Sequence, residues 1–149
     1  MKNLFDNPAY EEIISRVNKL SANSQGKWGK MDVAQMLCHC KEAFKVPLST
    51  TSPPKLYPLA LIGWMMKSKL YNDSPWRRNL PTAPNFKIRD ERVFEKEKVE
   101  LVTLINKFHQ STAATIEKIT HPVFGKFTGD QWGMSMYKHL DHHLTQFGA

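Results

Sequence analysis

Four stretches of this chain repeat apolar residues at steps of three and four, and that period constrains the fold more than any other feature. Tyr10, Ile13, Ile14, Val17 and Leu20 form the first stripe, behind an Asn7-Pro8 start that predicts Asn7 as N-cap and Pro8 as first helical residue. Val33, Met36, Leu37, Cys40 and Phe44 form the second, on a helix expected from about Met31 to Val46 and stopped by Pro47. The third is expected over roughly Asp90 to Ile119. Val93, Phe94, Val99, Leu101, Val102, Leu104, Ile105 and Phe108 are its expected buried side, with Glu95, Lys96, Glu97 and Lys98 in water. The fourth opens at Thr128, where Thr128, Gly129, Asp130 and Gln131 spell a capping box, and stops at Phe147-Gly148. Alternating apolar and polar runs are missing, so the expected class is all-α, a four-helix bundle.

Between the second and third helices the period is lost. Prolines at 47, 53, 54, 58, 75, 81 and 84 punctuate this stretch, and only Pro58 to Tyr71 reads as helical. A structureless connection of that length is unusual, which predicts a Pro-rich loop-helix-loop insertion packed on the domain. The 149 residues otherwise fit one domain, 1–149. The longest apolar stretch, Leu59 to Met66, is far short of the roughly 20 residues of a membrane span, and no secretory signal opens the chain. Cys38 and Cys40 sit two apart in a helical pattern, so their side chains diverge and they read as reduced thiols. The expectation is a cytoplasmic protein with no membrane partner.

The insertion also concentrates charge. The chain has 21 basic and 14 acidic residues, a net +7. Residues 53–92 hold eight of the Lys and Arg against Asp73, Asp90 and Glu91, so +5 of the +7 lies there. Lys67, Lys69, Arg77, Arg78, Lys87 and Arg89 are interleaved with Trp64, Trp76 and Phe86, a composition that nucleic-acid binders share. No recognisable nucleic-acid motif accompanies it, and the preferred readings are a solvated basic face or a pocket for an acidic substrate. Trp64, Met65 and Met66 are expected to cover the core or to form a homodimer surface.

The residues that can carry chemistry are histidines. At about 100° per residue, Trp132, Met136, His139, His143 and Gln146 fall within roughly 80° on the last helix. His139 and His143 therefore continue a buried stripe, one turn apart, and both imidazoles reach one point beside the helix. His142 is turned by about 100° from His143 and belongs at the edge of the helix. His39 lies beside the stripe of the second helix, where it can face the same axis. Three histidines from two helices bind a divalent metal and leave positions for water or substrate. Two histidines hydrogen-bonded in a polar core are the plain alternative. His109 and His121 lack this geometry, and His121-Pro122 reads as a turn. Gln146, one turn beyond His143, either orients a ligand or bonds to backbone.

Three runs carry a resemblance: Gly29 to His39, His121 to Gly133, and Tyr137 to Gly148. Together they resemble the DinB/YfiT-like superfamily, and within it an uncharacterised branch defined only as a domain of unknown function. The resemblance implies a four-helix bundle with one histidine on the second helix and a His-x-x-x-His on the last. By position it implies metal ligands His39, His139 and His143. Characterised relatives include metal-dependent transferases and isomerases acting with low-molecular-weight thiols, and the insertion at 47–84 departs from their simple bundle. Fold membership constrains architecture more than chemistry.

Two functions follow as expectations. One is a metal-dependent enzyme, a hydrolase or thiol-dependent S-transferase, with Zn²⁺ or Ni²⁺ on His39, His139 and His143 and a small-molecule substrate, a low-molecular-weight thiol among the candidates. The other is a non-catalytic, stress-related binding module whose histidine site is structural or vestigial. Neither Asp141, nearly opposite the ligand face, nor Asp130, expected to cap the helix, is placed as a general base.

Overall fold

In the computed structural model, which describes residues 1–50, 52–54, 56, 59–80, 82 and 86–149, the chain is predominantly helical. Helix α1 spans Asn7–Lys19, α2 Val33–Lys45, α3 Leu59–Met66, α4 Phe94–Gln110, α5 Ala113–Ile116 and α6 Gly129–Gln146. A two-stranded antiparallel hairpin, β1 Thr120–His121 and β2 Gly125–Lys126, precedes α6 and pairs Thr120 with Lys126. Helix α2 packs against α4 and α6, and α1 packs against the same two. Ile13, Leu37, Phe44, Leu101, Ile105, Phe108, Leu140 and Leu144 are almost wholly buried in the core.

The stripes of α1, α2 and α6 are buried much as their spacing predicts, with Ile13, Val17, Val33, Met36, Leu37, Cys40, Phe44, Trp132 and Met136 inside. Asp32 and Gln35 form a reciprocal capping box that opens α2, and Thr128 with Gln131 does the same for α6. At the far end of α6, Gly148 takes a φ of +78°, the left-handed turn expected of a glycine stop. Helix α1 begins one residue before the expected place: Asp6 is the N-cap, Asn7 is already helical, and Pro8 still falls in the first turn. Both cysteines are free and buried.

Other expectations are corrected. The third stripe is not one helix to Ile119. Ser111 leaves helical geometry, and the Thr112 side chain accepts the Thr115 N–H, starting the short α5 instead. Val93 and Val99, expected inside, are 66% and 64% exposed, whereas Glu97, expected in water, is 2% exposed. The buried face of α4 is Phe94, Glu97, Leu101, Ile105 and Phe108, a three-four-four-three spacing on which Val99 does not fall. Position puts Glu97 inside, and Lys41 of α2 makes that tolerable: its Nζ lies 2.5 Å from Glu97 and 2.6 Å from Glu100.

His121 ends β1 and leads into the expected turn at residues 122–124. Its Nδ1 accepts the N–H groups of Val123 and Phe124 at 3.0 and 3.2 Å, which closes the chain around Pro122. Asp130 is not the cap of α6; its carboxylate accepts the Asn3 side-chain amide at 3.1 Å. Helix α3 is followed by a 3-10 turn, Lys67–Leu70, so the helical part of the insertion is shorter than expected. Its expected start at Pro58, the prolines at 81 and 84, and Lys55 of the basic set lie outside the described residues. Trp64, Met65 and Met66 are exposed, which excludes them from covering the core. Among the described residues no helix is long and apolar enough to cross a membrane.

Two stability predictions follow from these buried polar groups. Lys41→Met leaves Glu97 buried without its ammonium partner, and the expected loss is about 3–5 kcal/mol in urea unfolding. A loss below about 1 kcal/mol would mean that Arg92, 3.6 Å from Glu97, compensates alone. Burial pushes the His121 imidazole from 6.5 down to about 4. An unfolded chain therefore binds a proton that the folded chain refuses, so stability is full above about pH 6.5 and falls as pH drops toward 4. His121→Asn keeps an acceptor for the two N–H groups and removes this titration. Between pH 7.5 and pH 5 the wild type should lose about 2 kcal/mol more than the variant.

Candidate metal centre

His39, from the middle of α2, meets His139 and His143, from the C-terminal half of α6, where the two helices pack. One ligand-capable atom of each histidine lies within 4.8 Å of those of the other two. His39 and His143 are buried and His139 is partly so. The ring centroids of His39 stand 4.9 Å from His139 and 4.7 Å from His143, and those of His139 and His143 are 4.9 Å apart. The one-turn spacing of the α6 pair and the inward side of α2 thus bring together the three residues expected to do so. These three histidines can hold a metal ion.

Hydrogen bonds outside the triad decide which nitrogens are available. The Phe86 carbonyl lies 2.9 Å from His39 Nδ1, and a carbonyl only accepts, so Nδ1 carries the hydrogen and Nε2 keeps its lone pair. On His143 the deciding partner is Gln146. Its Nε2 donates to the Trp28 carbonyl at 2.6 Å, which turns Oε1 toward His143 Nδ1 at 2.9 Å. That oxygen likewise only accepts, so His143 also presents Nε2 bearing a lone pair. His39 Nε2 and His139 Nε2 are 2.9 Å apart, a spacing that two nitrogen ligands of one first-row ion also adopt. With His39 Nε2 as acceptor, His139 carries its hydrogen on Nε2, and ligating an ion requires that hydrogen to move to Nδ1 while the ring stays in place.

The electrostatics match this donor set. Burial drives His143 down to about 3, with nearby His39 adding to the effect and the Gln146 hydrogen bond opposing it. His139 falls well below its usual range through burial, then through His143, His39 and His142. His39 is lowered by burial against the pull of the Phe86 carbonyl. All three are neutral at physiological pH, the form that ligates metal. Being neutral, they need no carboxylate to balance them, and the sulfurs of Cys38 and Cys40 take no part in the cluster.

Gln146 thus takes both positions open to it: Nε2 bonds the Trp28 backbone carbonyl, and Oε1 meets the ring of His143. Gly29 makes its position possible. A Cβ on that residue would lie 2.6 Å from Gln146 Nε2, and its φ of +85° is one that only glycine adopts readily.

The insertion roofs the site, which sequence reasoning did not foresee. Lys138, adjacent to His139 and only 3% exposed, donates to the carbonyls of Lys69 and Asn72 and to Asn72 Oδ1 at 2.7–2.8 Å. Trp76 Nε1 donates to the same Lys69 carbonyl at 2.8 Å. The Trp76 ring then lies 5.8 Å from His139 and 5.7 Å from His142. His142, at the helix edge as expected, also meets Trp28 at 5.8 Å. The Phe86 hydrogen bond uses a backbone oxygen and so has no signature in residue type, while the Phe86 ring also meets that of His39 edge-on with centroids 6.3 Å apart. Trp76 had a signal only as an aromatic among charges. As for carboxylates, Asp141 is engaged by Arg16 at 2.6 Å and stands away from the triad.

If Gln146 aims the His143 lone pair, Gln146→Leu should weaken Zn²⁺ affinity about 10- to 100-fold at unchanged helical content. Competition against a chromophoric chelator measures this, and an unchanged affinity would show that packing alone holds the ring.

A family model described as "protein of unknown function (DUF1569)" matches residues 2–149. No curated protein and no solved structure matches the chain.

Proposed function

Since the chain belongs to the DUF1569 family, whose description assigns no activity, we propose from the site itself that it is a metal-dependent enzyme acting on a small molecule. The fold is read as a four-helix bundle of the DinB-like type. The observation that carries the proposal is the orientation of the histidines. Phe86 and Gln146 take the Nδ1 hydrogens of His39 and His143, so both rings keep Nε2 as the atom able to ligate, and His39 Nε2 stands 2.9 Å from His139 Nε2. A polar core pair needs only two rings, whereas here three imidazoles from two helices each bring a ligand atom within 4.8 Å of the others.

His39, His139 and His143 would hold a divalent ion, Zn²⁺ or Ni²⁺ by ligand type. Such an ion, when bound, lowers the pKa of a water or thiol that joins it and polarises a carbonyl. Hydrolysis and thiol-dependent S-transfer are the reactions this supports, a low-molecular-weight thiol being one substrate class. The chain's own residues contribute position and dryness. Neutral imidazoles from two helices fix the donor set, Gln146 holds His143 in orientation, and Trp76 and Trp28 wall the approach with rings. A small-molecule enzyme in the cytoplasm, paired as a homodimer through the exposed Trp64, Met65 and Met66, completes the reading.

A second reading, a non-catalytic module with a structural ion, has one observation in its favour. Among the described residues no carboxylate makes a hydrogen bond to the triad, so a side-chain general base is lacking.

Elemental analysis of the purified, tag-free chain beside His143→Ala tests the first reading. About one equivalent of Zn or Ni in the wild type, lost in the variant, is the expected result. No metal in either after reconstitution would reduce the triad to a polar core cluster. Metal that is bound but leaves hydrolysis and thiol-transfer assays at background would favour the second reading.

A further inference from the structure

The insertion carries much of the excess positive charge of the chain, and its fastening to the triad decides where that charge goes. Trp76 lies against His139 and His142, and the Phe86 carbonyl bonds His39, so the insertion meets the candidate metal centre at these two points. Arg78 follows Trp76 by two residues. Its guanidinium lies 4.6 Å from the centroid of the Trp28 ring, and Trp28 in turn meets His142 and holds Gln146 through its carbonyl. The cation is therefore one aromatic ring from the histidine helix.

The balance of charge there is one-sided. Asp141 is engaged by Arg16, Glu97 and Glu100 by Lys41, and Asp90 by Arg92, while the Asp32 carboxylate caps α2. Arg77, Arg78, Lys87 and Arg89 have no carboxylate partner among the described residues. A guanidinium stacked on an indole keeps its N–H edge free, and that fork matches the two oxygens of a carboxylate or phosphate. The triad contributes three neutral rings and no charge that would repel an anion.

We propose that this site takes an anionic small molecule and that Arg78, resting on Trp28, receives its acid group. The inference rests on the metal-dependent reading above and adds to it the charge of the substrate and the residue that selects for it. Arg78 is a specificity residue: it binds the acid group at the rim, while the reacting end of the molecule faces the histidines. The histidines therefore see the end of the molecule opposite its charge.

A matched pair of probes tests this. 3-Mercaptopropionate and its uncharged amide share a thiol and differ in the acid group. Each is titrated calorimetrically into the zinc-reconstituted full chain, as wild type, Arg78→Gln and Arg77→Gln, with metal content measured on every sample. The wild type should bind the acid about tenfold or more tightly than the amide, Arg78→Gln should lose that preference, and Arg77→Gln should keep it. Rising salt should weaken the acid and leave the amide unchanged. Equal binding of acid and amide to the wild type, a preference undiminished in Arg78→Gln, or no binding of either probe would overturn the proposal. A wild type without metal that still prefers the acid through Arg78 would sink the metal reading alone. A metal-loaded wild type without that preference would sink the present one alone.

Discussion

Buried ring nitrogens need partners, and the requirement of three histidines for theirs organises much of this molecule. His39 turns one nitrogen to the Phe86 carbonyl, which draws the end of the insertion onto α2. His143 turns one to Gln146, whose other end takes the Trp28 carbonyl and so fastens the loop before α2. Each bond removes a cost of about 1–3 kcal/mol for a polar group left unpaired inside. Two irregular segments with no periodic pattern of their own are thereby given places, and a ligand-capable atom of each histidine stays within 4.8 Å of the others. Local order and candidate chemistry have the same cause.

Buried cations do comparable work at a distance from the triad. Lys41 sits between Glu97 and Glu100 and ties α2 to α4, so that the helix bearing His39 is held from its other side. Lys138 hydrogen-bonds no carboxylate among the described residues; it is satisfied by two carbonyls and an amide oxygen of the Lys69–Asn72 turn. Desolvation lowers its pKa, with the charge of Asp73 opposing, so these dipoles carry its hydrogen bonding. A dipole-held cation is directional, since every acceptor must be in place at once. The turn it holds also supplies the carbonyl that fixes Trp76, so a lysine beside a candidate ligand sets the position of the roof.

How much of this was legible in the sequence depends on whether a feature is local. The stripes of α1, α2 and α6 and both capping boxes are readable because period and cap involve residues within one turn of each other. The pairing of His139 with His143 belongs to the same category. His39 needed a resemblance, because nothing within α2 says which neighbour it will face. Glu97 departs from expectation for a related reason: by position it lies on the buried face, by type it belongs in water, and the lysine that settles the conflict is on another helix. The break at Ser111 was in principle readable, since Thr112 is three residues before Thr115 and competes for its N–H, but the surrounding apolar period masked it. Least legible were the roof contacts, where Lys69, Asn72 and Phe86 act through their carbonyls, a group every residue has.

That last property has a consequence for how such a site can diversify. Because Phe86 meets His39 through its main chain, the identity of the side chain at that position is uncoupled from the anchoring bond. The same holds for Trp28 and Gln146. Rim side chains can therefore be exchanged, altering shape and charge around the entrance, while the tautomers of the buried rings stay as they are. Changing the length of the segment is another matter, since an added or missing residue shifts the carbonyl itself. A library that randomises rim side chains at constant length would explore ligand selectivity with the histidine geometry intact, whereas insertions and deletions would disturb both together.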